Sequence, residues 1–463
     1  MIQGPGSSGR VVRVASGQGF WGDWQEAPKL QVRHGPIDYL MLDYLAEITM
    51  SILQKQRQRD PALGYARDFV PLVAELAPEL LERGIRVVSN AGGVNPEGCR
   101  GALAGLLADV PLPRRPRVAI VRGDDLMDHL DDLIAAGHAL RHMETGEPLA
   151  TVRDGVASAN AYLGARPIVE ALGQGADVVI TGRSTDTALT YAPLIHEFEW
   201  AEDDWDRLAA GVVAGHINEC GAQATGGNTL VDWRRVDLIL PGYPIIEASP
   251  DGSFMVTKHP DLGGRVTWAT ITEQLVYEMG DPGEYITPDC IADFSSLRLH
   301  DAGGDRVRVR GVKGRPRTDK LKVSIAHHAG YKAVGTLTYA WPDALEKAKK
   351  ASEVLWGRLA HLGLSFDEIR TEYIGAGACH GPLAGPPDPE LPEVELRVGV
   401  RGPDREAVDR FTREIAPLIL AGPPTVTGFA GGRPRLQEVM AYWPALIDRA
   451  VVERDVRVET VEL

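Results

Sequence analysis

The sequence predicts an α/β protein, with an N-terminal parallel sheet and crossover helices followed by an α+β second domain. Three observations predict it. Short β-branched runs alternate with helical stretches through the first half, and the runs end in glycine, asparagine or another turn former. From Val236 onward the rhythm changes to short strands joined by long loops. The length, 463 residues, exceeds what one core of ordinary size takes up. The expected domains are therefore 1–231 and 232–463, with a boundary near Asp232.

Within the first domain the β-branched runs place strands at 11–15, 39–42, 86–89, 118–121 and 177–181, with a sixth at 155–159. Helical periodicity falls on 45–57, 68–83, 96–108, 126–136, 167–173 and 205–220. In the second domain, strands are expected at 245–257, 266–271, 307–312, 320–326 and 394–400, and helices at 344–362 and 404–420. No repeat of solenoid period is visible.

Composition narrows the function. The 49 Lys and Arg against 64 Asp and Glu give a net charge of −15 without any basic block, which argues against nucleic-acid binding. No run approaches the roughly 18 to 20 apolar residues of a membrane span, and the start lacks the apolar core of a signal peptide. A soluble cytoplasmic protein is expected. The four cysteines (Cys99, Cys220, Cys290, Cys379) form no CxxC pair, so they are read as free thiols.

Three glycine-rich turns follow predicted strands. Gly17, Gly19 and Gly22, with Asp23 after them, satisfy G-x-G-x-x-G. Residues 23–36 contain Pro28, Gly35 and Pro36 and show no helical period, so a nicotinamide site is disfavoured. The glycines still let backbone amides approach an anion. The second turn holds Asn90, Gly92, Gly93 and Asn95, and Pro96 at a helix start; it is either an ordinary strand-to-helix turn or a carboxylate site. The third runs from Thr181 through Gly182, Arg183, Ser184, Thr185 and Asp186. Ser184 or Thr185 can cap the next helix, and Arg183 offers a bidentate fork to an anion. Asp186 is expected in that helix's first turn, where the dipole favours its charge.

Extended to 205–223, the helix expected at 205–220 carries His216, Glu219, Cys220 and Gln223 at i, i+3, i+4 and i+7, so one face carries four groups able to hydrogen-bond, donate protons or bind metal. The plainer reading is a buried helix end with a routine His216–Glu219 pair and Cys220 as a small core residue. His327–His328 and Cys379–His380 offer further side chains, but neighbours on a strand point to opposite faces.

At these same turns, and at Ala159-Asn160-Ala161-Tyr162-Leu163-Gly164, the sequence resembles the acyclic terpene utilisation protein A (AtuA) family. The resemblance implies a role in catabolism of branched terpenoid acids, with cleavage of a tertiary 3-hydroxy-glutaryl-CoA derivative and release of an acetate unit. Some relatives carry a further small C-terminal domain. Its apparent absence here implies a small partner protein, and a homo-oligomer is expected.

The expected function is a carbon–carbon lyase, or a related hydratase, acting on a carboxylated or CoA-linked branched 3-hydroxy acid. His216 is the expected base, with Glu219 orienting or replacing it, and the amides near Gly92, Gly93 and Gly182, with Arg183, hold the carboxylate or enolate. Two alternatives stay open: a thioester hydrolase or transferase using Cys220 as nucleophile, and a non-catalytic acyl-CoA-binding subunit. No cofactor is specified by the spacing. A divalent metal would fit enolate chemistry if Asp186, His216 and Glu219 converge. Strands of one parallel sheet would bring Arg183, Asp186, Asn90 and Asn95 to one crevice, lined by the His216 helix and closed by the second domain.

Overall fold

The computed structural model describes residues 10–230, 232–427 and 432–463. The chain forms two compact units, one of residues 1–326 with 442–463 and one of residues 327–441. The expected boundary near Asp232 falls inside the first unit. Segments from 236 to 326, expected in a second domain, belong to the first unit, partly in its large sheet and partly in a separate three-stranded sheet.

In chain order the first unit contains β1 (Val12–Gln18), α1 (Ala27–His34), β2 (Tyr39–Leu42), α2 (Glu47–Arg59), α3 (Phe69–Arg83), β3 (Arg86–Ser89), α4 (Pro96–Leu107), β4 (Arg117–Arg122), α5 (Leu130–Ala135), β5 (Val156–Ala161), α6 (Arg166–Gly173), β6 (Val178–Thr181), α7 (Ala188–Phe198) and α8 (Trp205–Asn218). There follow β7 (Ile245–Ala248), β8 (Phe254–Thr257), α9 (Trp268–Val276), β9 (Tyr285–Ile286), β10 (Cys290–Asp293), β11 (Arg298–Asp301), β12 (Val307–Arg310) and β13 (Lys313–Pro316). Its last strand, Arg457–Glu462, returns from the far end of the chain.

Five strands, in the order β1-β2-β3-β6-β4, are parallel. Antiparallel strands extend both edges: β7, β8, β12 and β11 beyond β1, and Arg457–Glu462 beside β4. Alternation along each central strand divides its side chains between two cores. Tyr39, Met41, Val88, Ala119, Val121 and Val179 enter one with α6, α7 and α8. Leu40, Leu42, Val87, Val118, Ile120, Val178 and Ile180 enter the other with α3 and α4. Burial on both faces is why these strands read as continuous apolar runs.

Several expectations need correction. Residues 27–34 are helical: Pro28 sits in the first turn, where its missing N–H costs no bond. The sixth strand exists as β5, but it pairs outside the parallel sheet, with the long strand Lys320–Ala340. Residues 266–271 are not a strand. Thr267 accepts from Thr270 N and, with the Thr270 side chain reaching back, closes a capping box that starts α9. The strand expected at 245–257 is the hairpin of β7 and β8.

In the second unit, strands Glu368–Ile374 and Glu393–Gly402 pair antiparallel with one another, and the latter with Lys320–Ala340. Helices Ala344–His361 and Arg405–Glu414 cover them, burying Leu355, Leu359, Val408 and Phe411. The helix expected at 404–420 ends at Glu414 and resumes only as Leu418–Ala421.

Candidate functional site

The carboxyl ends of the parallel strands carry polar residues in succession: Gln18 at β1, Asp43 after β2, Asn90 after β3, Asp124 after β4 and Arg183 after β6. Asp43 accepts from Asn90 Nδ2 at 2.7 Å and from Leu45 N at 3.0 Å. Burial pushes both Asp43 and Asp124 up, Asp124 to about 7 even though Arg183 N and Asn160 Nδ2 donate to it. Gly182 is required beside it, since a Cβ there would lie 2.3 Å from Asp124 Oδ1.

Arg183 is 1% exposed and its guanidinium is already engaged. Nη1 donates to the Leu45 carbonyl at 2.7 Å and lies 2.9 Å from Asp186 Oδ1, and the group stacks 4.3 Å from the Tyr162 ring centroid. An anion clamp is not what this side chain provides. It holds Asp186 in place. Burial pushes Asp186 up to about 6, with Arg183 opposing and the charges of Glu219 and Glu47 adding. Helix α7 starts only at Ala188, with no side-chain cap, so Asp186 precedes the helix and neither Ser184 nor Thr185 caps it. Ser184 Oγ instead lies 3.4 Å from Thr181 Oγ1.

At the end of α8, His216 Nδ1 is 3.0 Å from Glu219 Oε1 and Nε2 is 3.0 Å from the Gln274 carbonyl. A carbonyl only accepts, so Nε2 carries a hydrogen and the pair shares one proton between Nδ1 and Oε1. Burial opposes the charged ring, but the Glu219 contact and the Gln274 carbonyl outweigh it and hold His216 above its ordinary value. Both ring nitrogens are thus committed, whereas Glu219 Oε2 has no hydrogen-bond partner among the described residues. Gln223 donates to Gln274 Oε1 at 2.9 Å, bracing the same helix end. Burial first, and then the Glu219 charge, push the Cys220 thiol up, against the thiolate a nucleophile needs.

Asp186, His216 and Glu219 line one cavity of about 530 Å³, together with Glu47, Tyr162, Lys320 and Lys322. Tyr162 donates to Glu47 at 2.8 Å, and Lys322 lies 3.8 Å from the same carboxylate and 4.9 Å from the Tyr162 ring centroid. All of these belong to the first unit. Asp43, Glu47, Asp124 and Lys322 were not singled out from the sequence. Asp43 and Asp124 had a readable signal, a carboxylate just past an apolar run. Tyr162 lies in the Ala159–Gly164 stretch.

The first two glycine turns do not line this cavity. Gly19 packs against backbone: a Cβ would lie 2.9 Å from Cys220 C and 3.1 Å from Glu219 O. Asp23 is taken up by Gly19 N, Trp24 N and Tyr243 Oη. Asn90 is bonded to Tyr44 N and Asp43, and Asn95 caps α4 through Gly98 N while donating to Pro61 and Leu63 carbonyls. At Gly92 and Gly93 a Cβ would strike the Thr181 and Gly64 carbonyls at 2.6 and 2.8 Å. These glycines serve close packing.

His328 packs on Tyr331, and Cys379 and His380 are exposed in the second unit. Among the described residues no group of three or more His, Cys, Asp or Glu side chains is arranged to hold a metal ion, and no helix is long and apolar enough to cross a membrane. No curated protein and no solved structure matches the chain. A family model, described as acyclic terpene utilisation family protein AtuA, matches residues 12–458, and the chain belongs to that family.

Proposed function

We propose that the chain is an enzyme of branched or terpenoid acid catabolism, a carbon–carbon lyase or related hydratase acting on a carboxylated or CoA-linked 3-hydroxy acid. Family membership supports the role in acyclic terpene utilisation. The observation that carries the chemistry is the presence of Asp186 and Glu219 on one cavity wall in different electrostatic settings. Asp186 is pushed up to about 6, while Glu219 sits against the His216 ring with Oε2 unpartnered. Two carboxyl groups held in unlike environments can divide acid and base roles.

In cleavage, Glu219 Oε2 takes the proton of the C3 hydroxyl. The C2–C3 electron pair leaves to C2, giving a ketone at C3 and an enolate at C2, and protonated Asp186 returns a proton to C2. In hydration or dehydration the same pair serves C2 and the departing hydroxyl. Lys320 and Lys322 on the cavity wall take the role first assigned to Arg183, holding the substrate's anionic end. His216, with both nitrogens committed, positions Glu219.

The test is to incubate the purified protein with secondary and tertiary 3-hydroxy acids and their CoA esters and follow products by mass spectrometry. A ketone from a tertiary acid, or an aldehyde from a secondary one, with an acetate unit supports the lyase, and an enoyl product the hydratase. Saturable binding with no turnover across the series would overturn both in favour of a binding subunit.

A further inference from the structure

A second polar cavity lies away from Asp186 and Glu219, between the start of α6 and the segments around Asp289 and Arg317. It has two adjoining parts of about 230 and 220 Å³, and Arg166, Asp289 and Arg317 line both. The smaller part has an apolar wall that includes Val169, Ile195 and Trp200. Asp289 is satisfied within the protein, accepting from Ala165 N and Tyr191 Oη. Arg166 has only a loose 3.8 Å pairing with Glu202, both groups being well exposed.

Arg317 stands apart from these. It is half-buried and its charge acts on Asp289, yet its guanidinium makes no hydrogen bond or ion pair within contact distance with any described residue. A planar group with five donors, held partly out of water with none of them hydrogen-bonded to a described residue, is complementary to a carboxylate. The aromatic and branched wall beside it is complementary to an apolar body.

We propose that this cavity is a binding site for a small carboxylate carrying a compact apolar group, with Arg317 and Arg166 on the carboxylate and Val169, Ile195 and Trp200 around the hydrocarbon. The site does not depend on the reaction proposed above. Its wall continues into the first cavity's: Pro288 and Thr318 line one and their neighbours Asp289 and Arg317 the other.

The experiment is an NMR titration of the full chain with cyclohexanecarboxylate, its uncharged carboxamide, and acetate. The carboxylate binds at least about tenfold more tightly than either of the others, because each lacks one half of the recognition. Arg317→Ala weakens it at least about tenfold without loss of fold, since this side chain makes no hydrogen bond to any described residue. Lys322→Ala, in the other cavity, leaves the titration unchanged. The proposal is overturned by absence of binding to the wild-type chain, by equal binding of acetate, by an unaffected Arg317→Ala protein, or by loss of binding in Lys322→Ala.

Discussion

Glu219 and His216 share a proton one helical turn apart, and the ring's other nitrogen is fixed on the Gln274 carbonyl. The contact leaves Glu219 Oε2 as the one atom of the pair without a partner. The histidine therefore holds the carboxylate in one orientation.

The pair should register in stability. The folded pKa of His216 is raised, so its contribution is fully present below the unfolded value of about 6.5 and is lost as pH rises through the folded value. Urea denaturation of wild type and His216→Gln from pH 5.5 to 8.5 should show a gap that narrows with rising pH. A gap independent of pH would place the ring's worth in packing against Tyr285 and Phe294 alone.

Removing either acid should abolish most turnover. Glu219→Gln and Asp186→Asn each keep the shape of the wall and lose the ability to exchange a proton, so kcat should fall about 10²- to 10⁴-fold. The two differ in pH dependence. Asp186 must be protonated, so in the Glu219-intact enzyme activity should decline above about pH 6, and Asp186→Asn should lose that limb. Retention of wild-type kcat by either variant counts against the assignment.

Cys220 lies one turn from His216 but its thiol is pushed up and His216 is occupied elsewhere. Cys220→Ser should keep activity within about threefold, and iodoacetamide should react slowly with this position in the native protein. Rapid alkylation with loss of turnover, prevented in Cys220→Ser, would restore the nucleophile.

Most of the parallel sheet could be read in the sequence because strands buried on both faces leave apolar runs that need no partner to be seen; 39–42 and 86–89 are such cases. The His216–Glu219 face was legible too, since it depends only on helical spacing. What depended on tertiary placement was not. Arg183 looks like an anion fork until Leu45 O and Asp186 are seen to occupy it, and Lys322 has no local feature marking it as a cavity residue. The antiparallel flanks come from 245–310 and 457–462, so no nearby residue announces their partners. Pro28 and Pro36 hid α1 by resembling breakers when one is a first-turn proline.

The first glycine turn can be tested as packing. A Cβ on Gly19 would lie 2.9 Å from Cys220 C and 3.1 Å from Gly221 N, so Gly19→Ala must push the backbone just past α8 away. The expected cost is about 1 to 3 kcal/mol, with a fall in activity because Glu219 moves with that backbone. Gly105 in α4 has nothing within 4 Å of an added Cβ, and Gly105→Ala should instead stabilise by about 0.5 to 1 kcal/mol. Equal effects at the two positions, read by urea denaturation, would refute the packing account.

Asp124 gives the sharpest pH test, because it is 3% exposed and burial raises it from 3.8 to about 7. Between those values the native chain keeps a proton that the unfolded chain has released, so its stability contribution is present at low pH and is lost as pH rises towards 7. Asp124→Asn keeps an oxygen that can accept from Arg183 N and Asn160 Nδ2 but carries no titratable proton. Relative to wild type, the variant should therefore gain stability steadily from pH 4 to pH 7, by a total on the order of 2 to 4 kcal/mol. Because Gly182 and Arg183 N both rest on this carboxyl, the same variant should leave turnover near wild type at pH 7 only if the turn keeps its position. A flat stability difference across the range would mean that Asp124 is already ionised in the folded chain, with Arg183 N and Asn160 sufficient to hold the charge.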